Sequence, residues 1–171
     1  CNANMTSLIL LLVFCQALGA LTGAFFAVWS ELSYVRAIRD GRIDHAERLH
    51  LNAIGNGLRW GMSLLLLSSF GLAVVFYLLQ ATTQPALTGH YWLLIMLGLV
   101  VITASWALSR RRISFKLGTA VAFTGWWFLV FLTLGQMPPF SFGAAVGLFV
   151  VATAIFYALL NSARLFLTRK K

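Results

Sequence analysis

The chain has 171 residues, of which 60% are hydrophobic and only 10% charged, and its 13 Lys and Arg against four Asp and Glu give a net charge of +9. Its mean hydropathy is +0.87. A water-soluble domain of this size needs far more polar surface, so the composition excludes that class. A basic chain can bind nucleic acid, but the sequence has no basic and aromatic module of that kind, and we expect no nucleic-acid partner.

The first four residues, CNAN, precede the first methionine of the chain. We interpret Met5 as the natural start and residues 1–4 as a remnant of cloning, which leaves residues 5–171 as a single domain. The alternative is a mature lipoprotein with an acylated Cys1. Cys15 lies within the first apolar run, where we expect a small buried side chain, and two cysteines imply no disulfide framework.

Five apolar runs of about 20 residues follow one another, and each is long enough to cross the hydrocarbon layer of a membrane as a helix. Short alternating strands, which would indicate a membrane barrel, are absent from the pattern. The sequence therefore predicts an all-α integral membrane protein, a bundle of five transmembrane helices. The runs are Leu8–Trp29, Leu58–Leu79, Tyr91–Ser109, Phe115–Gly135 and Phe142–Ala163.

The basic residues predict the orientation, because Lys and Arg in short loops favour the cytoplasmic side. Three segments, 1–7, 80–90 and 136–141, carry no charged side chain. The N-terminus is therefore predicted outside and the C-terminus in the cytoplasm, where the basic collar would face anionic lipid headgroups. This pattern suits a bacterial or archaeal inner membrane. The collar comprises Arg36, Arg39, Arg42, Arg48, Arg110, Arg111, Arg112, Lys116, Arg164, Arg169, Lys170 and Lys171.

Residues 30–60 contain all four acidic residues of the chain. We predict that this segment includes a charged cytoplasmic extension of the first helical hairpin. Asp40 and Gly41 provide a turn. Asp44, followed by Glu47, is typical of a helix N-terminus, and the second helix is expected to run to Leu79. The tip of the hairpin is a candidate docking surface for a partner. Its charged residues are Arg36, Arg39, Asp40, Arg42, Asp44, Glu47 and Arg48.

Two helical faces in this hairpin are expected to meet. On the second helix, polar residues recur every three or four positions, and on the first helix small residues do the same. Small residues allow close approach in membranes and polar ones bond across the contact, so Arg59 would reach toward Glu31. The candidate polar site is Glu31, Asn52, Asn56, Arg59 and Ser63. The small face is Gln16, Gly19, Gly23, Ala27, Ser30 and Tyr34.

Glycine pairs and a tryptophan pair add two further expectations. Three small-xxx-small patterns support either tight packing within the chain or self-association, and the sequence leaves both open. Trp126 and Trp127 fall near the middle of the fourth run, although tryptophan prefers interfaces. They are candidate contacts for an apolar ligand, or they fill space beside Gly118 and Gly125. The glycine pairs are Gly19 with Gly23, Gly57 with Gly61, and Gly143 with Gly147.

No cofactor is predicted. Glu47 and His50 have the spacing found in carboxylate-bridged di-iron bundles, but a second motif and further carboxylates are missing. We therefore expect Glu47 to cap a helix and His50 to lie at the membrane interface. No run has a histidine in its middle, which disfavours bis-histidine haem within one chain and leaves only a haem shared between subunits. No catalytic Ser, His and acid arrangement is suggested.

Three functions are therefore carried forward from the sequence. The first is a small transporter or channel-like protein that acts as a homo-oligomer, with a polar site at the cytoplasmic side of the first hairpin. The second is a non-catalytic membrane subunit or scaffold that binds a larger partner through its spans and the charged hairpin. A redox or lipid-modifying enzyme is the third, and it has the weakest support from the residues.

Overall fold

A computed structural model describes the backbone of residues 2–39, 43–79, 84–136 and 141–168. Side chains are described for residues 5–36, 48–79, 84–85, 87–136 and 141–166. The docking-surface residues Asp40 and Arg42 fall outside these segments. Within them the regular secondary structure is helical throughout.

The helices follow the predicted apolar runs. They are α1 (Asn2–Arg39), α2 (Ile43–Gly57), α3 (Ser63–Leu78), α4 (Gly89–Ser109), α5 (Phe115–Thr133) and α6 (Phe142–Thr168). A π-helical segment, Leu58–Met62, joins α2 to α3, so the second long helix is continuous from Ile43 to Leu78. A short 3₁₀ turn, Pro85–Leu87, precedes α4. Five long helices thus cover the described residues.

All five long helices are long and apolar enough to cross a membrane. Hydrocarbon offers no hydrogen-bond partners to backbone amides and carbonyls, whereas a helix pairs these groups within itself. An apolar chain of this kind therefore adopts helices. The prediction of an all-α bundle is confirmed for the described residues, and so is the prediction of five helices that are long and apolar enough to span a membrane. The candidate spans are Met5–Arg36, Arg48–Leu78, Gly89–Ser109, Phe115–Thr133 and Phe142–Phe166.

Helix termini are marked by local hydrogen bonds. The Thr88 hydroxyl accepts a hydrogen bond from the Tyr91 amide at the start of α4, and the Ser114 hydroxyl accepts one from the Leu117 amide at the start of α5. Both side chains satisfy amides that a helix leaves free. The cap predicted at Asp44 lies outside the described side chains.

The centre of the bundle is formed by α1, α3, α4 and α5. Helix α5 contacts α1, α4 and α6, and 61% of its span is buried, whereas only 11% of the α6 span is buried. Helix α6 therefore lies at the edge of the bundle. The core contains Ala20, Ala24, Leu65, Leu94, Leu97, Val101, Trp126 and Leu129.

Helix α1 approaches the second helix through facing glycines. A Cβ added at Gly61 would lie 2.8 Å from the Gly19 carbonyl oxygen and 2.9 Å from the Gly23 amide nitrogen. A Cβ at Gly19 would lie 2.6 Å from the Leu65 amide nitrogen, and one at Gly57 would lie 2.6 Å from Cβ of Phe26. Such short separations bring the two backbones into direct van der Waals contact.

The small face of α1 is therefore a contact face, as the sequence predicts, and four of the six paired glycines pack within the chain. Gly143 and Gly147 differ, because a Cβ at either would meet no atom within 4 Å among the described residues. Both are exposed. Self-association through this last pair stays a prediction.

The polar stripe of the second helix does not meet α1, and this expectation is wrong. The side chains of Asn52, Asn56, Arg59 and Ser63 are exposed. The face that packs on α1 instead carries Gly57 and Gly61. Each glycine is one or two residues away from a stripe residue, which is about 100–200° around a helix. Close backbone contact at the glycines turns the stripe away from α1.

Replacing Gly61 with alanine should destabilise the protein by about 1–3 kcal/mol, because the added methyl meets backbone atoms that cannot move aside. Gly55→Ala is the matched control, since a Cβ there meets nothing within 4 Å among the described residues and alanine favours the helix. Thermal unfolding of both variants in mild detergent measures the difference. Equal unfolding temperatures would show that the hairpin does not pack through Gly61.

Candidate functional site: a buried charge cluster

The buried carboxylate Glu31 of α1 is bound by Arg164 of α6. Its residue exposure is 8%, as is that of Arg164. The Arg164 Nη2 donates to both carboxylate oxygens, at 2.9 Å to Oε1 and 2.7 Å to Oε2. It also donates to the Thr119 hydroxyl of α5 at 3.1 Å. One guanidinium nitrogen thus links three helices, and these contacts are charge-assisted.

Each of these side chains lies near the same end of the bundle. Glu31 belongs to the last turns of α1, Thr119 to the second turn of α5, and Arg164 to the last turns of α6. Exposed basic side chains surround this end, which we call the basic end: Arg36, Arg48, Arg110, Arg111, Arg112 and Lys116. The cluster lies inside the bundle, beneath that exposed collar.

Aromatic rings enclose the guanidinium. The Arg164 Cζ lies 4.7 Å from the ring centroid of Tyr34 and 5.6 Å from that of Phe115, and the two rings are 4.6 Å apart. Ring faces attract a cation, the more so when water is excluded. The rings therefore stabilise the charge of Arg164.

The ion pair fastens the bundle together only while both members are present. Removing two charges from water costs several kcal/mol per ion, and the Coulomb attraction offsets this when the hydrogen bonds are good. Here both oxygens of Glu31 accept hydrogen bonds. Loss of one partner would leave a single charge buried without compensation, which is the costly case.

His50 of α2 is the third ionisable member of the cluster. It is 0% exposed, and its Nε2 lies 3.9 Å from Glu31 Oε1, which is too long for a hydrogen bond. Its ring packs at 5.5 Å from that of Tyr34 and 5.0 Å from that of Phe115. Neither ring nitrogen makes a close, well-aligned hydrogen bond among the described residues, although the ring interacts with the backbone of Ser30. A buried imidazole without a close hydrogen bond is rare, since buried polar atoms are normally paired.

A small cavity adjoins these groups. Its volume is about 10 Å³, and Glu31, His50 and Thr119 line it together with Gly23 and Trp126. This is about the room that one water molecule needs. Since the walls carry a carboxylate, an imidazole and a hydroxyl, the cavity is polar enough for a water molecule or a proton.

The candidate polar site of the sequence is brought together only in part. Glu31 is buried in a polar cluster, but Asn52, Asn56, Arg59 and Ser63 are exposed and take no part in it. His50 was expected at the membrane interface and is fully buried instead. It faces inward because Gly57, two turns further along the same helix, packs on Phe26 of α1.

Arg164 is the residue that sequence reasoning missed. It was assigned to the basic collar, whereas the structure buries it against Glu31. One signal could have singled it out. It stands apart from the terminal Arg169-Lys170-Lys171 group and is followed by the apolar residues Leu165, Phe166 and Leu167, as expected for a cation on a helix that is still packed.

The other predicted residues have simpler positions. Arg36 and Arg48 of the docking surface are exposed, while the side chains of Arg39, Asp44 and Glu47 lie outside the described residues. Of the tryptophan pair, Trp126 is 2% exposed and a Cβ at Gly23 would overlap its ring.

Trp126 therefore fills space beside Gly23 rather than beside Gly118 or Gly125. Trp127 is half-buried and neighbours the rings of Phe123 and Phe131, at 6.4 and 6.3 Å. Of the two tryptophans, only Trp127 is placed to meet an apolar molecule at the surface of the bundle.

No group of three or more metal-ligating side chains occurs within the described part of the chain. No protein-family model, curated protein or solved structure matches this sequence. The chemistry of the cluster must therefore be inferred from its own geometry.

Removal of Arg164 should destabilise the protein strongly. Arg164→Ala leaves Glu31 buried without its cation, and we expect a loss of about 3–5 kcal/mol. Arg59→Ala, which removes an exposed arginine, should cost less than about 0.5 kcal/mol. The double variant Glu31→Leu/Arg164→Leu should recover most of the loss, because no lone charge stays buried.

Unfolding by titration with a denaturing detergent measures these differences. Equal stabilities for Arg164→Ala and Arg59→Ala would show that the ion pair contributes nothing to the fold. A double variant as unstable as Arg164→Ala would show that packing, rather than the buried charge, sets the cost.

Proposed function

We propose that this chain is a small multi-span transporter or channel-like protein that moves an ion, or a solute coupled to an ion, past Glu31. The supporting observation is the buried cluster of Glu31, Arg164 and His50 on membrane-spanning helices. Ionisable residues within such helices are costly, and they commonly mark ion pathways or proton relays.

The position of the cluster suits a switch. Its members come from α1, α2, α5 and α6, and therefore from four of the five spanning helices of the described residues. Neutralising Glu31 would release Arg164 and weaken the contact that joins α1, α5 and α6. A ligand that changes the charge of Glu31 thus favours a different packing of the helices, which is how a bound ion shifts a conformational equilibrium.

We further propose that the protein acts as a homo-oligomer in a bacterial or archaeal inner membrane. Five spans are few for a complete transport path. The span of α6 is only 11% buried, and its small pair Gly143 and Gly147 is open at the surface. Such pairs allow close helix contact between copies. Anionic lipid headgroups would meet the exposed arginines of the basic end.

The proposed orientation places the basic end in the cytoplasm and the N-terminus outside. Single cysteines at Thr88 and Ser109, which are exposed at opposite ends of α4, test it in a chain lacking Cys1 and Cys15. A membrane-impermeant maleimide should label Thr88→Cys in intact cells and Ser109→Cys only after the cells are opened. The reverse pattern would invert the topology.

Replacing Glu31 with glutamine should reduce ion flux at least tenfold in proteoliposomes, because the neutral side chain cannot alternate between charge states. Arg59→Ala is the control, since Arg59 is exposed and outside the cluster, and its flux should stay within twofold of the wild type. Dyes that report H⁺, Na⁺, K⁺ and Cl⁻ inside the vesicles measure the flux. Full activity in Glu31→Gln would contradict the proposal.

A non-catalytic membrane subunit is the second candidate. An apolar groove of about 410 Å³ between α5 and α6, with Val121 and Phe149 among its lining residues, offers a surface to another membrane helix. This function predicts a wild-type chain with no ion flux that leaves native membranes bound to a larger protein. Native mass spectrometry from mild detergent distinguishes that complex from a homo-oligomer.

A further inference from the structure

His50 is the member of the cluster that the ion pair does not use. It is fully buried, neither of its nitrogens makes a close, well-aligned hydrogen bond among the described residues, and it lines the water-sized cavity with Glu31. An imidazole in this position contributes nothing to the ion pair by direct bonding. The position needs an explanation, because an apolar residue there would avoid the cost of two unpaired polar atoms.

The charged and titratable groups around His50 come from two neighbouring helices. Helix α1 presents Glu31 and Tyr34, and α6 presents Arg164. Helix α5 contributes Phe115 and Thr119, neither of which titrates. On α2 itself, the nearest charged side chain in the described segment is Arg48, which is exposed. With Glu31 and Arg164 both charged, the cluster has no net charge, and a proton on His50 would give it a charge of +1, with the Glu31 carboxylate as the nearby anion.

The geometry selects against larger cations. Sodium and calcium ions need several oxygen ligands, but both oxygens of Glu31 already accept from Arg164. The cavity has room for about one water molecule. A proton needs neither several ligands nor a large cavity. It needs one basic atom with a free lone pair, and neutral imidazole has such a nitrogen.

We infer that the ion handled by this protein is the proton, that His50 binds it, and that Glu31 is the group to which His50 passes it. This inference rests on the proposed transport function. A closer approach of about 1 Å would turn the 3.9 Å separation between His50 Nε2 and Glu31 Oε1 into a charge-assisted hydrogen bond.

The transfer can be written as two balanced steps. First, hydronium in the cavity gives a proton to neutral His50, so that an O–H bond breaks, an N–H bond forms, and water is left. Then the N–H bond of the imidazolium at Nε2 breaks and an O–H bond forms on Glu31, which leaves neutral His50 and a neutral carboxylic acid. Arg164 has then lost its anionic partner, and this is the change that alters helix packing.

Proton flux is the first test. The full-length protein is reconstituted in phosphatidylethanolamine and phosphatidylglycerol vesicles that contain a pH-sensitive dye, with the membrane potential held by potassium and valinomycin. We expect His50→Gln to reduce proton flux at least tenfold. His90→Gln, which removes an exposed histidine at the opposite end of the bundle, should leave it within twofold of the wild type.

A second measurement does not depend on how well a variant folds. Solid-state NMR of wild-type protein with ¹⁵N-labelled histidine in the same lipids should show the His50 ring changing from neutral to protonated as the pH is lowered from 8 to 4. The His50→Gln spectrum assigns the signal, and Glu31→Gln should shift the midpoint of the change to lower pH. A His50 ring that stays neutral throughout this range overturns the inference.

The outcomes separate this inference from the proposed function. Flux of sodium or potassium that is lost in Glu31→Gln and kept in His50→Gln would overturn the proton assignment and leave the transporter intact. No flux of any of these ions through the wild type would overturn both. Proton flux lost in both variants, and kept in His90→Gln, supports both.

Discussion

The pairing of one buried carboxylate with one buried guanidinium strongly constrains this bundle. Glu31 lies on the first helix and Arg164 on the last, 133 positions further along the chain. Neither charge can be buried alone without a cost of several kcal/mol. Helix α6 has little other burial, with 11% of its span enclosed. The ion pair and two ring contacts with α5, Phe128 with Phe149 and Phe123 with Phe156, hold it against the core.

The glycine contacts at the first hairpin determine which residues can join that ion pair. Because Gly19 and Gly23 lie against Gly61, the second helix can turn only a narrow face toward α1. His50 is on that face, and Arg59 is not. The backbone approach thus places an imidazole beside Glu31 and leaves the amide stripe outside the bundle. The glycine contacts with α1 and the position of His50 beside Glu31 both follow from the same rotation of the second helix about its axis.

A buried ion pair alone would be sufficient to hold α1, α5 and α6 together, and it would require no further ionisable group. His50 distinguishes the cluster from such a pair. Burying its two ring nitrogens without close hydrogen bonds costs folding free energy. The ring borders a cavity that fits a water molecule. In the proposed function, a group that can take up a proton, next to a carboxylate whose charge pairs with Arg164, couples protonation to helix packing. In the proposed transport, this coupling is what allows a proton to change the packing of the helices.

The sequence by itself determined the five helices and the small contact face of α1. Hydrophobic length and residue size fix these features locally, because hydrocarbon demands internal backbone bonding and close helix contact demands small side chains. It also singled out Glu31. Only the tertiary structure decided that Arg164 is the partner of Glu31, that His50 is buried and that Asn52, Asn56, Arg59 and Ser63 point away. Those outcomes depend on how far each helix is rotated about its own axis, and rotation follows from contacts between residues that are far apart in the chain.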